Sequence, residues 1–112
     1  MKRLLIGMMS TLVLGMFAAP AFAQEAKGAK VYADQKCSIC HSIGGKGNAK
    51  GPLDEVGTKL SAGEIHEWIV DPAGMTAKQN ATRKPPMAAK YGSLPKEDLD
   101  ALVAYLSSLK KK

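Results

Sequence analysis

Apolar positions recur at helical spacing in three stretches of the chain and run together without a period in a fourth, at the N-terminus. Near the C-terminus, Leu99, Leu102, Val103, Leu106 and Leu109 form one stripe. Pro95 suits the first position of that helix. Glu97, Asp98 and Asp100 stand near its positive end and Lys110 to Lys112 at its negative end. A second helix is predicted over Leu60 to Asp71. Ser61 and Glu64 have the spacing of a capping box, Leu60 and Ile65 that of a hydrophobic staple, and Pro72 stops the helix. Ile65, Trp68 and Ile69 share its apolar face, with His66 at the edge of that face or outside it. Glu25 to Lys36 reads as a first helix, with Val31 and Tyr32 among alanines. Gly28 costs that helix roughly 1 kcal/mol relative to alanine. It shares a face with Tyr32, so either another helix approaches closely there or the helix end frays.

Between these helices the period is lost. Gly44 to Pro52, "GGKGNAKGP", is too rich in glycine, asparagine and proline for regular structure, and it lacks the Gly-Lys-Ser/Thr spacing of a phosphate loop. Pro72 to Ser93 carries Pro72, Gly74, Pro85, Pro86 and Gly92 and reads as a long functional connection. No strand of convincing length is evident.

The fourth apolar run, Leu4 to Ala19, follows Lys2 and Arg3 and leads into Pro20 and Ala21-Phe22-Ala23. This is the order of a secretory signal peptide, with cleavage expected after Ala23. The run is shorter than the ~20 residues of a spanning helix, which leaves an uncleaved anchor as the lesser alternative. Residues 1–23 are therefore read as a cleaved signal and 24–112 as one domain. A domain so short buries a marginal core and often needs a metal, disulfide or cofactor. Its large aromatics are only Trp68, Tyr32, Tyr91 and Tyr105. The formal net charge of +6 includes Lys2 and Arg3. Export argues against nucleic acid as the partner of the remaining positive charge, leaving an ordinary solvated surface, an anionic membrane or an acidic protein.

Candidate chemistry is concentrated in "KCSICH", Lys36 to His41, which holds both cysteines and one of two histidines. A thioredoxin-like redox pair requires a strand before it and an α/β sheet around it, and neither is predicted. Zinc requires three or four ligands; Cys37, Cys40, His41 and His66 would supply them only through an unusual bite at consecutive Cys40 and His41. An adjacent Cys-x-x-Cys-His in an exported chain points instead to covalent haem attachment. On a helical turn Cys37, Cys40 and His41 project from one side, so two sulfurs bond the porphyrin while the imidazole reaches the iron.

Only Met75 and Met87 survive signal removal as thioether candidates for the second axial position. Met87 lies in "KPPMAAKYG", where Pro85 and Pro86 stiffen an extended approach. It is favoured as the ligand, with Met75 read as core or loop packing and His66 as a minor alternative.

The series Gly28 and Tyr32, "CSICH", Gly51-Pro52, the Met87 loop and the final "DLDALVAYLSSL" helix resembles a small bacterial class I c-type cytochrome over nearly all of Gln24 to Leu109. The resemblance implies an all-α fold, three to five helices wrapped around one covalently attached haem. It implies that Gly28 and Tyr32 pack the first helix across the last near Leu102 and Tyr105. It also implies that Pro52 offers its carbonyl to His41 Nδ1–H, with a mere turn former as the alternative. Trp68 either aims its indole N–H at a haem propionate or simply packs the core. Tyr91, Arg83 and Lys84 are weaker candidates for the same propionate edge, over which the chain's middle, shorter than in the larger family members, gives a shorter cover.

A His/Met ligand pair raises the haem potential and leaves no open iron site, which argues for electron transfer rather than catalysis. One motif implies one haem c. The expected function is a periplasmic monohaem carrier, a monomer without stable membrane insertion, that shuttles one electron between larger redox partners and is not an enzyme. Lys46, Lys50, Lys78, Arg83, Lys84 and Lys90 flank the two ligand loops and would steer it to acidic docking surfaces. The alternatives are a haem-based sensor whose Met87 bond opens to a small molecule, and a fixed subunit of an oxidoreductase complex.

Overall fold

The computed structural model describes residues 21–111. The apolar run Leu4 to Ala19 lies outside them. Five α-helices, two short 3-10 turns and one minimal hairpin follow in the order α1 (Ala21–Asp34), a 3-10 turn (Cys37–Ile39), β1 (Ser42–Ile43), β2 (Lys46–Gly47), α2 (Val56–Lys59), α3 (Ala62–Val70), α4 (Pro72–Lys78), a second 3-10 turn (Ala89–Ser93) and α5 (Lys96–Ser107). The Ala21-Phe22-Ala23 segment opens α1, so this helix starts earlier than Glu25. It ends at Asp34 rather than Lys36, because Lys36 takes a left-handed conformation (φ 56°, ψ 39°) that turns the chain into the cysteine motif.

The main scaffold is α1 crossed over α5. Gly28 is what lets them meet. A Cβ there would stand 2.0 Å from the Ala101 carbonyl oxygen and 2.4 Å from Tyr105 Cβ, so the helix backbones touch with no side chain between them. The predicted close approach therefore occurs, against Ala101 and Tyr105. One turn on, the Tyr32 and Tyr105 rings pack edge to face with centroids 6.1 Å apart. The Tyr32 hydroxyl is buried without a hydrogen-bond partner among the described residues, and burial pushes the phenol pKa up to about 12. Ion pairs from Lys27 to Glu97 (3.5 Å) and Asp98 (3.7 Å) bridge the open end of the crossing.

The core is built from the faces that periodicity predicts, except that Trp68, expected on the apolar face of α3, is half-buried and lies outside the cluster. Val31 and Tyr32 of α1, Ile65 and Ile69 of α3, and Leu99, Leu102 and Leu106 of α5 form one buried cluster. The capping box of α3 is complete: Glu64 N–H donates to Ser61 Oγ and Ser61 N–H to the Glu64 carboxylate, each at 3.1 Å. The Ser61 backbone N–H, and then the Ser61 hydroxyl, hold the Glu64 carboxyl below its ordinary pKa.

The connection from Pro72 to Ser93 is more ordered than its sequence suggests. Asp71 both closes α3 and caps α4, its carboxylate accepting from Gly74 N–H at 3.1 Å, and Pro72 occupies the first turn of α4. The proline that stops one helix thus starts the next. Only residues 79 to 88, which include Met87, lack helix or strand, and the second 3-10 turn leads from them into α5.

Candidate functional site

The cysteine motif forms one turn, pinned from several directions. Cys40 N–H and His41 N–H both donate to the Cys37 carbonyl, at 3.1 and 2.9 Å. The second bond spans four residues, as in an α-helix, so Cys37, Cys40 and His41 have the helical spacing that the sequence reading required. Asn48, from the loop after β2, satisfies three further carbonyls. Its N–H is shared between Ser38 (3.1 Å) and His41 (2.9 Å), and its side-chain amide donates to Ile39 (3.1 Å). Gly47 allows that approach with φ 109°; a Cβ there would meet the His41 carbonyl oxygen at 2.2 Å. The remaining carbonyl, of Cys40, accepts from Arg83 Nη2 at 2.6 Å. Neither Asn48 nor Arg83 announces these roles in the sequence. The signal that points to them is the need of every carbonyl in so tight a turn for a donor.

His41 is oriented by its backbone surroundings. Its Nδ1 lies 3.2 Å from the Gly51 carbonyl oxygen, which also accepts from Ser42 N–H at 3.0 Å. The expected acceptor, the Pro52 carbonyl, does not fill this role. Ser42 and Pro52 form a parallel bridge in which Gly51 C=O and Leu53 N–H (2.8 Å to the Ser42 carbonyl) face Ser42, and alternation turns the Pro52 carbonyl away. An Nδ1–H donated to Gly51 leaves Nε2 as the free, basic nitrogen. Burial, and secondarily the Arg83 guanidinium, lower the imidazole pKa, while the Gly51 contact opposes them.

Both cysteines are free and half-buried. Burial pushes the Cys37 thiol up to about 11, away from the low values of reactive redox cysteines. Among the described residues no three His, Cys, Asp or Glu side chains converge on a metal ion, so His66 does not complete a zinc site with the motif. The turn instead offers two sulfurs three residues apart and one imidazole aligned through its far nitrogen. That donor set fits a covalently attached haem.

Pro52 and Trp68 line one cavity of about 310 Å³ together with Val56, Leu60 and Gln79, and Cys37, Cys40, His41 and Met87 are not among its lining residues. Trp68 is half-buried at its wall. Met75 is a buried residue of α4 at 5% exposure, as the core-packing reading expects. Met87 is half-buried in the segment without helix or strand and packs on the same apolar cluster as Cys37 and Tyr91. Burial, and then Cys37 and Cys40, raise the Tyr91 pKa, which places this ring within electrostatic reach of both thiols.

Lys27, Lys30 and Lys96 form ion pairs on α1 and α5. Lys46 of β2, Lys78 at the end of α4, Lys90 of the second 3-10 turn, and Lys50, Arg83 and Lys84 between elements are exposed, and none forms an ion pair with another described residue; the same is true of the exposed Lys59, Lys110 and Lys111.

A family model described as Cytochrome c matches residues 25–110. The chain is 33% identical over 93 residues to a cytochrome c oxidase subunit 2 of Alkalihalophilus pseudofirmus, an alignment covering 75% of this chain and 25% of that protein. The chain thus spans about a quarter of the length of that relative. No solved structure gives a significant match.

Proposed function

The chain belongs to the cytochrome c family, and on that premise we propose that it is an exported monohaem carrier that passes one electron between larger redox proteins. Its fold is the all-α cytochrome c fold, and its cofactor is haem c, attached covalently through Cys37 and Cys40. It is an electron-transfer haem protein. The export, the free-carrier role and the individual ligands are the parts proposed.

His41 is the nitrogen ligand, and the observation that carries the reading is its Nδ1 contact with Gly51 at the end of the two-cysteine turn. Donation to a carbonyl fixes the ring and raises the basicity of Nε2. Met87 is the sulfur ligand, supported by its half-buried position and the rigid Pro85-Pro86 approach. A bound haem would supply a one-electron couple, and a soft thioether ligand together with an imidazole would favour its reduced state. Trp68 would pack against the cofactor, with a propionate as a candidate partner for its indole N–H. The unpaired cations of the loops steer acidic partners to that side of the molecule. A signal peptide cleaved after Ala23 delivers the chain to the periplasm, where it acts as a monomer. No helix among the described residues is long and apolar enough to cross a membrane.

The similarity to an oxidase subunit favours a second reading, in which the domain works as the fixed electron-entry module of a terminal oxidase. Purification under native conditions separates the two, since a carrier elutes alone and a module with its complex. The ligand reading is tested by optical spectra of the oxidised and reduced protein. The sulfur-to-iron charge-transfer band is expected to vanish in Met87→Ala and persist in Met75→Ala; the reverse pattern overturns it. Carbon monoxide binding to the reduced parent at neutral pH would indicate a sensor instead.

A further inference from the structure

The carbonyls of the cysteine turn are satisfied from two places. Those of Cys37, Ser38, Ile39 and His41 accept from the turn itself or from Asn48, all within a dozen residues. That of Cys40 accepts from Arg83, 43 residues away, on the segment that carries Met87. The guanidinium also fills the space left by a missing side chain. A Cβ on Gly51 would lie 2.2 Å from Arg83 Nη1 and 2.3 Å from the Cys40 carbonyl oxygen. Gly51 is the residue whose carbonyl takes the His41 ring, so one guanidinium touches the peptide of the second cysteine and the residue that orients the nitrogen ligand.

We propose that Arg83 is a positioning residue for the sulfur ligand, a strap that ties the Met87 loop to the cysteine turn and holds Met87 at the iron against competing ligands. Only Lys84, Pro85 and Pro86 separate it from Met87, and the two prolines fix φ at successive positions. Motion of the loop away from the turn must therefore break the Arg83 contact or bend a stiff segment. The bond is charge-assisted, with a planar donor that lysine does not reproduce. The inference rests on Met87 being the sulfur ligand.

Imidazole titration of the ferric haem protein tests it, because imidazole competes with Met87 for iron and its binding abolishes the sulfur-to-iron band. Arg83→Ala is expected to lower the imidazole midpoint about tenfold, near the low end of what a charge-assisted hydrogen bond contributes. Arg83→Lys is expected to recover part of that loss. Lys30→Ala, which removes an exposed cation on α1, should stay within about twofold of the parent. The proposal is overturned by an Arg83→Ala midpoint within twofold of the parent, or by an equal shift in Lys30→Ala. It is also overturned by a lowered melting temperature with an unchanged midpoint, which is the mark of a merely structural contact. Arg83→Gln carries the same comparison if Arg83→Ala does not mature. A band that survives Met87→Ala overturns the ligand reading and the strap together, in an arm separate from the arginine variants.

Discussion

Substituting Gly28 by alanine sets two effects of opposite sign against each other. Alanine in the interior of α1 improves helix propensity by about 1 kcal/mol. Its methyl group, however, would stand 2.0 Å from the Ala101 carbonyl oxygen and 2.8 Å from the carbonyl carbon. These are backbone atoms, so no rotamer change relieves the overlap. Reaching an ordinary contact of 3.4 Å or more requires α1 and α5 to separate by more than 1 Å. Separation loosens the packing of Val31 and Tyr32 on Leu99, Leu102 and Leu106. Overpacking that moves backbone costs about 3 kcal/mol, at the upper end of the usual range. The net loss is about 2 kcal/mol, or a fall of about 8–16 °C in melting temperature for a domain of this size. Thermal unfolding of the ferric haem protein, followed by circular dichroism, measures it. Gly63→Ala in α3 is the control: its Cβ would find only Ser61 Oγ, at 3.9 Å, so that variant should be neutral or slightly stabilised. A Gly28→Ala protein as stable as the parent would refute the claim that this glycine sets the helix crossing.

The haem-free Cys37→Ser/Cys40→Ser chain should lack a cooperative thermal transition, because no large side chain among the described residues is fully buried and the cofactor completes the core; a sharp melt by circular dichroism would contradict this. Ser61→Ala removes the α3 capping box and should cost about 1 kcal/mol in urea unfolding. Glu64, whose folded pKa lies below its unfolded value, contributes stability that is fully present above the unfolded pKa and disappears as pH falls through the folded one. Glu64→Gln should therefore flatten the acid limb of the stability curve, and an unchanged limb would deny the carboxylate its capping role. Charge reversal at Lys84 or Lys90 should slow reduction by an acidic redox partner and weaken its dependence on ionic strength, whereas Lys30→Glu, at an ion-paired site on α1, should leave the rate near that of the parent. Stopped-flow traces at two salt concentrations distinguish these outcomes.

Much of this molecule was legible in order of sequence because its determinants are local. The Ser61/Glu64 box, the Leu99 to Leu106 part of the α5 stripe and the Cys-x-x-Cys-His turn depend on residues a few positions apart and occur as their spacing implies, whereas Pro95 caps α5 rather than opening it and Leu109 and Lys110 lie beyond its end at Ser107. Gly28 was legible as an anomaly, a helix breaker with no local justification. The tertiary structure then supplied its partner in Ala101. The ordered middle is not legible locally: Pro72 in the sequence signals a helix end, while the second function of Asp71, capping α4, depends on the turn geometry between two helices.

The site divides along the same line. Sequence alone determined which atoms can take part: two sulfurs, one imidazole, and two surviving thioethers in separate settings. Which carbonyl orients the imidazole was decided only in three dimensions. Gly51 and Pro52 are adjacent, and the alternation of an extended segment against Ser42 turns one carbonyl toward His41 and the other away. The same holds for Arg83, which the sequence offers as a cation near the Met87 loop and whose contact with a carbonyl 43 residues earlier exists only in the folded chain. Spacing fixes what a single turn can present; partners supplied from distant segments exist only once α1, α3 and α5 have closed around a common core, because their positions follow from packing rather than from any local preference.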